Sequence, residues 1–280
     1  MQRNTTLPLK GISVIIPFFK AEQYFAEALE SAKAQSTSPN EIIVVNDGGG
    51  SSVDLFLQQF DGITIINLPE NMGPSKARNI GIEAAKFEWI TMLDADDRWE
   101  KDKLEKQLTF LAQHPEFSAC HTGLKTFNGE EIIDIYNDKP FKLSLEEALT
   151  SSHVLPTSFM LKKEAFTAIN GFDSSIKCSE DDDLIIRLVS NGFEVGFLAE
   201  PLAFLRREGH GNISSNGRKI LVGHFQLLKK HWALYKNISG TRSWFIYKTF
   251  MSCGGKSSGL EKKVYYLIGK IIKILFKIDK

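Results

Sequence analysis

The chain has 280 residues, room for one large domain or two modest ones at about 150 residues each, and enough length to bury a core without disulfide or metal staples. Hydrophobic residues at 42% and charged residues at 24% exclude wholesale disorder; 34 Lys+Arg against 34 Asp+Glu give a formal net charge of +0, so no global field draws the chain to nucleic acid. Cys120, Cys178 and Cys253 include no Cys-x-x-Cys pair, which suits neither a disulfide framework nor a zinc knuckle and points to a reducing, cytoplasmic setting.

Residues 1–10 are polar and carry no secretory pattern, and the apolar run 12–19 is interrupted by Pro17, so it reads as a strand. No window holds about 20 uninterrupted apolar residues, and no spanning helix is expected. Tyr24, Phe25, Ala28, Leu29 and Ala32 then fall at helical spacing. Residues 41–45 form a second strand closed by Asn46-Asp47-Gly48, 53–60 a helix, 63–68 a strand, 74–85 a helix, 89–93 a strand and 101–113 a helix. Strands alternating with helices of this length predict βαβ units, a parallel sheet and helices on both faces. Ligands of such sheets bind outside the carboxyl ends of the strands, which singles out Pro17, Asp47 and residues 94–97.

Beyond residue 115 the pattern is mixed. Strands are expected at 118–127, 158–161, 195–198 and 202–205, short helices at 144–151 and 181–189, and irregular chain over 127–157. Residues 209–217 read as a flexible loop, 220–235 as a helix, and 254–259 as a linker before a last helix. The expected division is a domain over 1–216 and a helical extension over 217–280.

Two acidic clusters carry the chemistry. Asp94, Asp96 and Asp97 end a buried strand, and carboxylates this close repel unless a cation sits among them. Mg²⁺ or Mn²⁺ takes one or two such oxygens together with substrate phosphate. The plainer reading, a capping turn, explains one of the three. Asp47 can accept a hydrogen bond from a base at the strand edge, or simply form an Asp-Gly turn. Lys76 and Arg78 place positive charge near a helix start opened by Pro74, where a bound phosphate would account for them.

In the second cluster, Glu180-Asp181-Asp182-Asp183 follows a capping Ser179. Asp181 shares a helical face with Leu184, Ile185 and Leu188 and is expected inward, as a candidate general base. Glu180 is the competing choice. Asp183 is expected to pair with Arg187 on the exposed side.

Taken in order, Val14-Ile-Ile-Pro-Phe-Phe, Glu41-Ile-Ile-Val-Val-Asn-Asp-Gly, the run from Asn71 to Gly81, Leu93-Asp-Ala-Asp-Asp, Asn170-Gly-Phe-Asp, Glu180-Asp and the stretch from Arg206 to Ser214 resemble a family 2 glycosyltransferase of the inverting GT-A type. The resemblance implies an α/β fold with a Rossmann-like, mostly parallel central sheet flanked by helices. It implies a nucleotide-diphosphate sugar, often UDP-linked, bound with Mg²⁺ or Mn²⁺. Carried over by position, Pro17 would shape a wall of the donor site, Asp47 would contact the base and Arg78 would lie near the diphosphate. Asp94 and Asp96 would form the D-x-D pair, with Asp97 sharing metal or ribose contacts. His210 would reach the diphosphate, and Asp181 would deprotonate the acceptor hydroxyl.

Three departures stand out. Asn46 replaces a common Asp, Asp182 stands where an aromatic residue is usual, and Glu208 occupies the place of a histidine, with His210 two residues on. The last two are the support for an alternative reading as a catalytically impaired nucleotide-sugar-binding or scaffold protein. A sugar-phosphate nucleotidyltransferase is disfavoured, because residues 17–22 lack the glycine-rich loop it needs. The expected acceptor is a saccharide or lipid-linked hydroxyl of surface polysaccharide, lipopolysaccharide or glycolipid. The tail over 260–280 pairs an apolar helical face with lysines. It therefore suits either an anionic membrane surface, at the inner face of the cell membrane, or packing against protein.

Overall fold

The structure, a computed structural model of the chain, describes residues 9–150, 154–176, 178–207 and 216–278. Its elements fall into two units. The first comprises Met1–Leu143, Val154–Phe172 and Asn191–Glu208, and the second Ser144–His153, Asp173–Ser190 and Gly209–Lys280. The sequence suggests a linear boundary at 216; the contacts group 144–153 and 173–190 with the C-terminal helices instead.

The first unit is built on β1 (Leu9–Phe18), β2 (Glu41–Asn46), β3 (Thr64–Asn67) and β4 (Phe87–Met92), interleaved with α1 (Glu22–Lys33), α2 (Gly50–Leu57) and α3 (Pro74–Ala84). These four strands are parallel in the order β3-β2-β1-β4. The β-branched residues of β1 and β2 are buried almost throughout, as strands covered on both faces require. Register then fixes the working edge: Phe18 pairs with Asn46, Asn46 with Asn67, and Ile15 with Met92. The loops carrying Asp47 and Asp94 consequently leave the sheet on the same side. Edge-to-face contacts at 5.1–5.2 Å join Phe18 of β1 to Phe25 of α1, and Phe25 to Phe60 in the turn after α2.

The sheet continues with β5 (Arg98–Trp99), β6 (Phe117–Asn128), β7 (Glu131–Tyr136), β8 (Phe159–Lys162) and β9 (Glu194–Arg206), in the order β4-β8-β6-β9-β5. Here pairing is mixed. β8 is antiparallel to β4 and β6, β9 runs parallel to β6, and β5 and β7 pair antiparallel with β9 and β6. The expected α/β architecture is present, its parallel half read from the sequence and its mixed half only partly. Residues 131–136 form a strand where irregular chain was expected. The two short strands expected between 195 and 205 are one, which pairs Pro201 with Gly123 between register shifts whose extra residues lie on β9 itself.

A lysine lies within this unit's core. Lys103, on α4 (Lys103–Gln113), is fully buried. Its Nζ donates to Gln107 Oε1 at 2.7 Å and Thr91 Oγ1 at 3.3 Å, and it lies 4.1 Å from the Trp99 ring centroid. Burial lowers its pKa from 10.5 to about 7. Between those values the unfolded chain holds a proton that the folded chain releases, so stability rises with pH across about 7–10.5. Lys103→Met removes the desolvation cost but strands the Gln107 acceptor. Denaturation should show a gain of about 1–3 kcal/mol at pH 7 that fades towards pH 10.5. A loss of stability at pH 7 would contradict the neutral-lysine account.

The second unit contains α5 (Leu145–Thr150), α7 (Glu180–Ser190), α8 (Gly217–Lys230), α9 (Trp232–Asn237), α10 (Thr241–Gly255) and α11 (Gly259–Leu275); α6 (Lys163–Ala168) belongs to the first. The single helix expected over 220–235 is two, broken at His231. The expected linker begins two residues early, since Gly254 and Gly255 complete α10. Gly254 is needed there because a Cβ would lie 2.6 Å from the Tyr266 ring, so its absence lets α11 dock closely. Among the described residues, no helix is long and apolar enough to cross a membrane.

Candidate active site

Asp47 leaves β2 with its backbone N–H donating to Phe18 O at 2.9 Å, and its side chain is buried. Oδ1 accepts the Met72 N–H at 2.7 Å and Oδ2 the Gly73 N–H at 2.9 Å. The carboxylate therefore holds the loop that opens α3, a role its sequence context did not reveal. Gly48 makes the close approach possible: at φ +78°, a Cβ would meet Asn71 N at 2.2 Å. Asn46, where the related pattern has Asp, uses both ends of its amide. Its Nδ2 donates to Asn67 Oδ1 at 2.9 Å, and its Oδ1 accepts the Gly49 N–H at 3.0 Å. An aspartate could not make the first of these bonds. Pro17, half-buried opposite Val45, lines the same edge of β1.

After β4 the chain turns through Asp94-Ala95-Asp96-Asp97, closed by the Asp97 N–H donating to Asp94 O at 3.0 Å. Arg78, buried on α3, donates from Nη2 to Asp94 Oδ1 at 2.6 Å and lies 5.6 Å from the Phe172 ring centroid. Next along α3, Asn79 exchanges two 2.8 Å hydrogen bonds with the Phe172 backbone, fixing the Asn170-Gly171-Phe172 turn against the helix. Arg78 thus meets the acidic turn directly, at Asp94. The Asp94 side chain keeps 28% exposure, and Asp96 is half-buried.

Asp97 differs from its two neighbours. It is 1% exposed, and Oδ1 accepts the Arg206 N–H at 2.9 Å. Burial, then the charges of Asp96 and Asp94, push its carboxyl well above the ordinary range, offset in part by that N–H. Buried and bonded to the Arg206 N–H, Asp97 stands apart from the partly exposed Asp94 and Asp96, with which the sequence grouped it. The reason is its position: in the turn, Asp97 faces the interior beside β9.

Arg206 organises this corner. Its N–H binds Asp97, its Nε donates to Asp96 O at 2.8 Å, and its Nη2 pairs with Glu27 of α1. The guanidinium also lies 4.4 Å from the Tyr24 ring centroid and 4.5 Å from that of Phe127. Neither Arg206 nor Glu27 was assigned a role from the sequence. The available signal was a buried-type strand ending in arginine; Glu27 carried none.

Among the described residues, no group of three His, Cys, Asp or Glu side chains is arranged to hold a metal alone. Asp94 and Asp96 fit a hard divalent cation whose remaining ligands are phosphate oxygens and water, the usual arrangement for Mg²⁺ at a nucleotide site.

The second unit carries the other acidic cluster on α7. Asp181 is half-buried, and its Oδ1 accepts the Asp182 N–H at 3.0 Å. The fully buried acid is Asp183. Arg187 reaches its Oδ2 from Nε at 2.8 Å and Nη2 at 2.7 Å; Lys230 Nζ and His231 Nε2 each lie 2.8 Å from Oδ1. Burial alone would raise this carboxyl, but the His231 and Lys230 hydrogen bonds and the Arg187 and Lys230 charges hold it below the usual carboxylate range. The pairing with Arg187 matches the expectation; its placement on the exposed side is corrected. The buried face of α7 runs over 183–186 and 188, wider than a simple wheel allows. His210 lies outside the described residues.

The sequence profile of glycosyl transferase family 2 matches residues 13–169, more than half of the chain. TuaG of Bacillus subtilis (strain 168), named for teichuronic acid biosynthesis, is 30% identical over 232 residues, covering 81% of this chain and 88% of that protein. A glycosyltransferase of Haemophilus influenzae (strain ATCC 51907 / DSM 11121 / KW20 / Rd), otherwise uncharacterized, is 29% identical over 80% of this chain and 84% of its own. The crystal structure of S. aureus TarS 1–349 in complex with UDP-GlcNAc superposes with a TM-score of 0.63 at 18% identity, covering 94% of this chain and 88% of that one. With the strand-edge turn and the sheet order already in hand, these likenesses settle the family: the protein belongs to glycosyl transferase family 2 and has the GT-A fold.

Proposed function

We propose that this glycosyltransferase moves a sugar from a nucleoside-diphosphate donor, a UDP-sugar, to a hydroxyl of a cell-envelope polysaccharide, lipopolysaccharide or glycolipid, in the cytoplasm and with inversion. The observation that carries the reading is the Asp94–Asp96 turn at the carboxyl edge of β4, tied to α3 by Arg78 and to β9 by Arg206. The relative named for teichuronic acid biosynthesis and the TarS complexes with UDP and UDP-GlcNAc support the acceptor and donor classes.

In this reading Asp94 and Asp96 hold Mg²⁺ or Mn²⁺, which supplies Lewis-acid stabilisation of the departing diphosphate when bound. Arg78 fixes the orientation of Asp94 and adds positive charge beside the diphosphate. Pro17 and the Asp47-held loop bound the nucleoside. Asp181 takes the proton from the acceptor hydroxyl as that oxygen attacks the anomeric carbon, so the bond to the diphosphate breaks on the opposite side.

The test is a transfer assay on a panel of UDP-sugars, chosen first by which of them raise the melting temperature with Mn²⁺ present. Chelation should abolish turnover and added Mn²⁺ restore it. Asp96→Ala should lose turnover at any metal concentration while keeping the wild-type melting temperature without ligand. Turnover indifferent to both chelator and Asp96→Ala would reject the metal assignment.

A further inference from the structure

α11 is bound to the rest of its unit by one side only. Gly269 sits against Met251, where a Cβ would lie 2.9 Å from the Met251 sulfur; the Tyr266 ring covers Gly254, and Tyr265 packs near Phe250 at 6.2 Å between centroids. The opposite side is a continuous apolar line. Leu260 is 77% exposed, Val264 43%, Leu267 59%, Ile271 46% and Ile274 76%, at spacings of four and three residues that keep them on one face. From Leu260 to Ile274 this face runs about 21 Å.

Charge says what covers it. Lys263 and Lys270, both exposed, each fall one helical step from the stripe and mark one edge of it, and Lys277, also exposed, follows just past the end of the helix. Lys262 and Lys273 instead lie over the Tyr266 and Tyr247 rings. The acid of the helix, Glu261, is engaged by Arg218 at 2.8 Å and by the Tyr265 hydroxyl at 3.1 Å, so it does not neutralise the lysine row. A second copy packed antiparallel on this seam would set lysine row against lysine row. A parallel copy would set the lysine edge opposite Glu261, Ile268 and Leu275, where the one acid is already held by Arg218 and Tyr265. An anionic lipid surface satisfies both features at once, taking the apolar stripe at the acyl boundary and the lysines among the headgroups.

We infer that α11 is an in-plane membrane anchor that seats the second unit on anionic phospholipid through the Leu260–Ile274 stripe and its lysine edge. The attachment is independent of the donor chemistry proposed above and is tested without it. Full-length protein is floated with vesicles of phosphatidylglycerol and phosphatidylcholine, and separately with pure phosphatidylcholine. Wild type should float with the first and not with the second, and the partition should weaken as salt screens the lysines. Replacing Lys263, Lys270 and Lys277 together by Gln should lower the partition on the order of 100-fold, at about a five-fold loss per lysine. Leu267→Gln with Ile271→Gln should abolish flotation. Because all five positions are exposed, both variants should melt with the wild type. Equal flotation of wild type and variants, or equal recovery on the two vesicle types, would overturn the inference. So would a wild-type dimer in sedimentation that the stripe variant splits, without any vesicle binding.

Discussion

Asp183→Ala should cost about 3–5 kcal/mol, the largest stability loss expected from one side chain here. The carboxylate is fully buried and gathers donors from three residues, Arg187 on its own helix and Lys230 and His231 at the end of α8. With alanine in place, these groups face each other across an apolar gap, and the joint between α7 and α8 loses its common acceptor. The loss should appear as early unfolding of the second unit, read by hydrogen exchange of α7 and α8 amides alongside the denaturation curve. The pH dependence has a definite sign. The Asp183 pKa is depressed in the folded chain, so its contribution is complete above the unfolded carboxylate range and is lost as pH falls through the folded value. The gap between wild type and variant should therefore narrow in strong acid. A change within about 0.5 kcal/mol at neutral pH would refute the role assigned to the cluster.

Two residues earlier on the same helix, Asp181→Asn should behave in the opposite way. On the proposed assignment, turnover falls by about 10²–10⁴-fold, the range for loss of a general base, while the melting temperature stays near wild type. The donor KM should change little, because the base acts on the acceptor proton in the transition state and not on the bound nucleotide. Glu180→Gln is the control. If that variant carries the loss in turnover and Asp181→Asn retains activity, the base is Glu180. If neither does, the acidic start of α7 serves the fold alone.

The contrast between Asp181 and Asp183 shows where a sequence stops being legible. Four successive acids at a helix start look alike, and a wheel ranks them only by the apolar residues of their own helix. Which one is buried depends on Lys230 and His231, nearly fifty residues away, because a carboxylate enters an interior only where donors await it. Asp94, Asp96 and Asp97 pose the same problem. Their place after a buried strand is readable, but the departure of Asp97 into the interior is set by Arg206 at the end of β9. Strands β5 and β7 went unread for a different reason: one is two residues long, and the other is exposed along its whole length, so neither carries a burial pattern.

Local pattern alone determined the alternation of strands and helices up to residue 113, the two-residue β5 excepted, the edge of the sheet from which the acidic turn leaves, and the family. Each rests on periodicity or short motifs that neighbours in the chain supply. Tertiary structure decided which carboxylates are solvent-facing and which are paired inside, that Asp47 holds the loop before α3, and which stripe of α11 remains uncovered. Those outcomes depend on partners distant in sequence, and the energy of a charge or an apolar face is set by what finally packs against it.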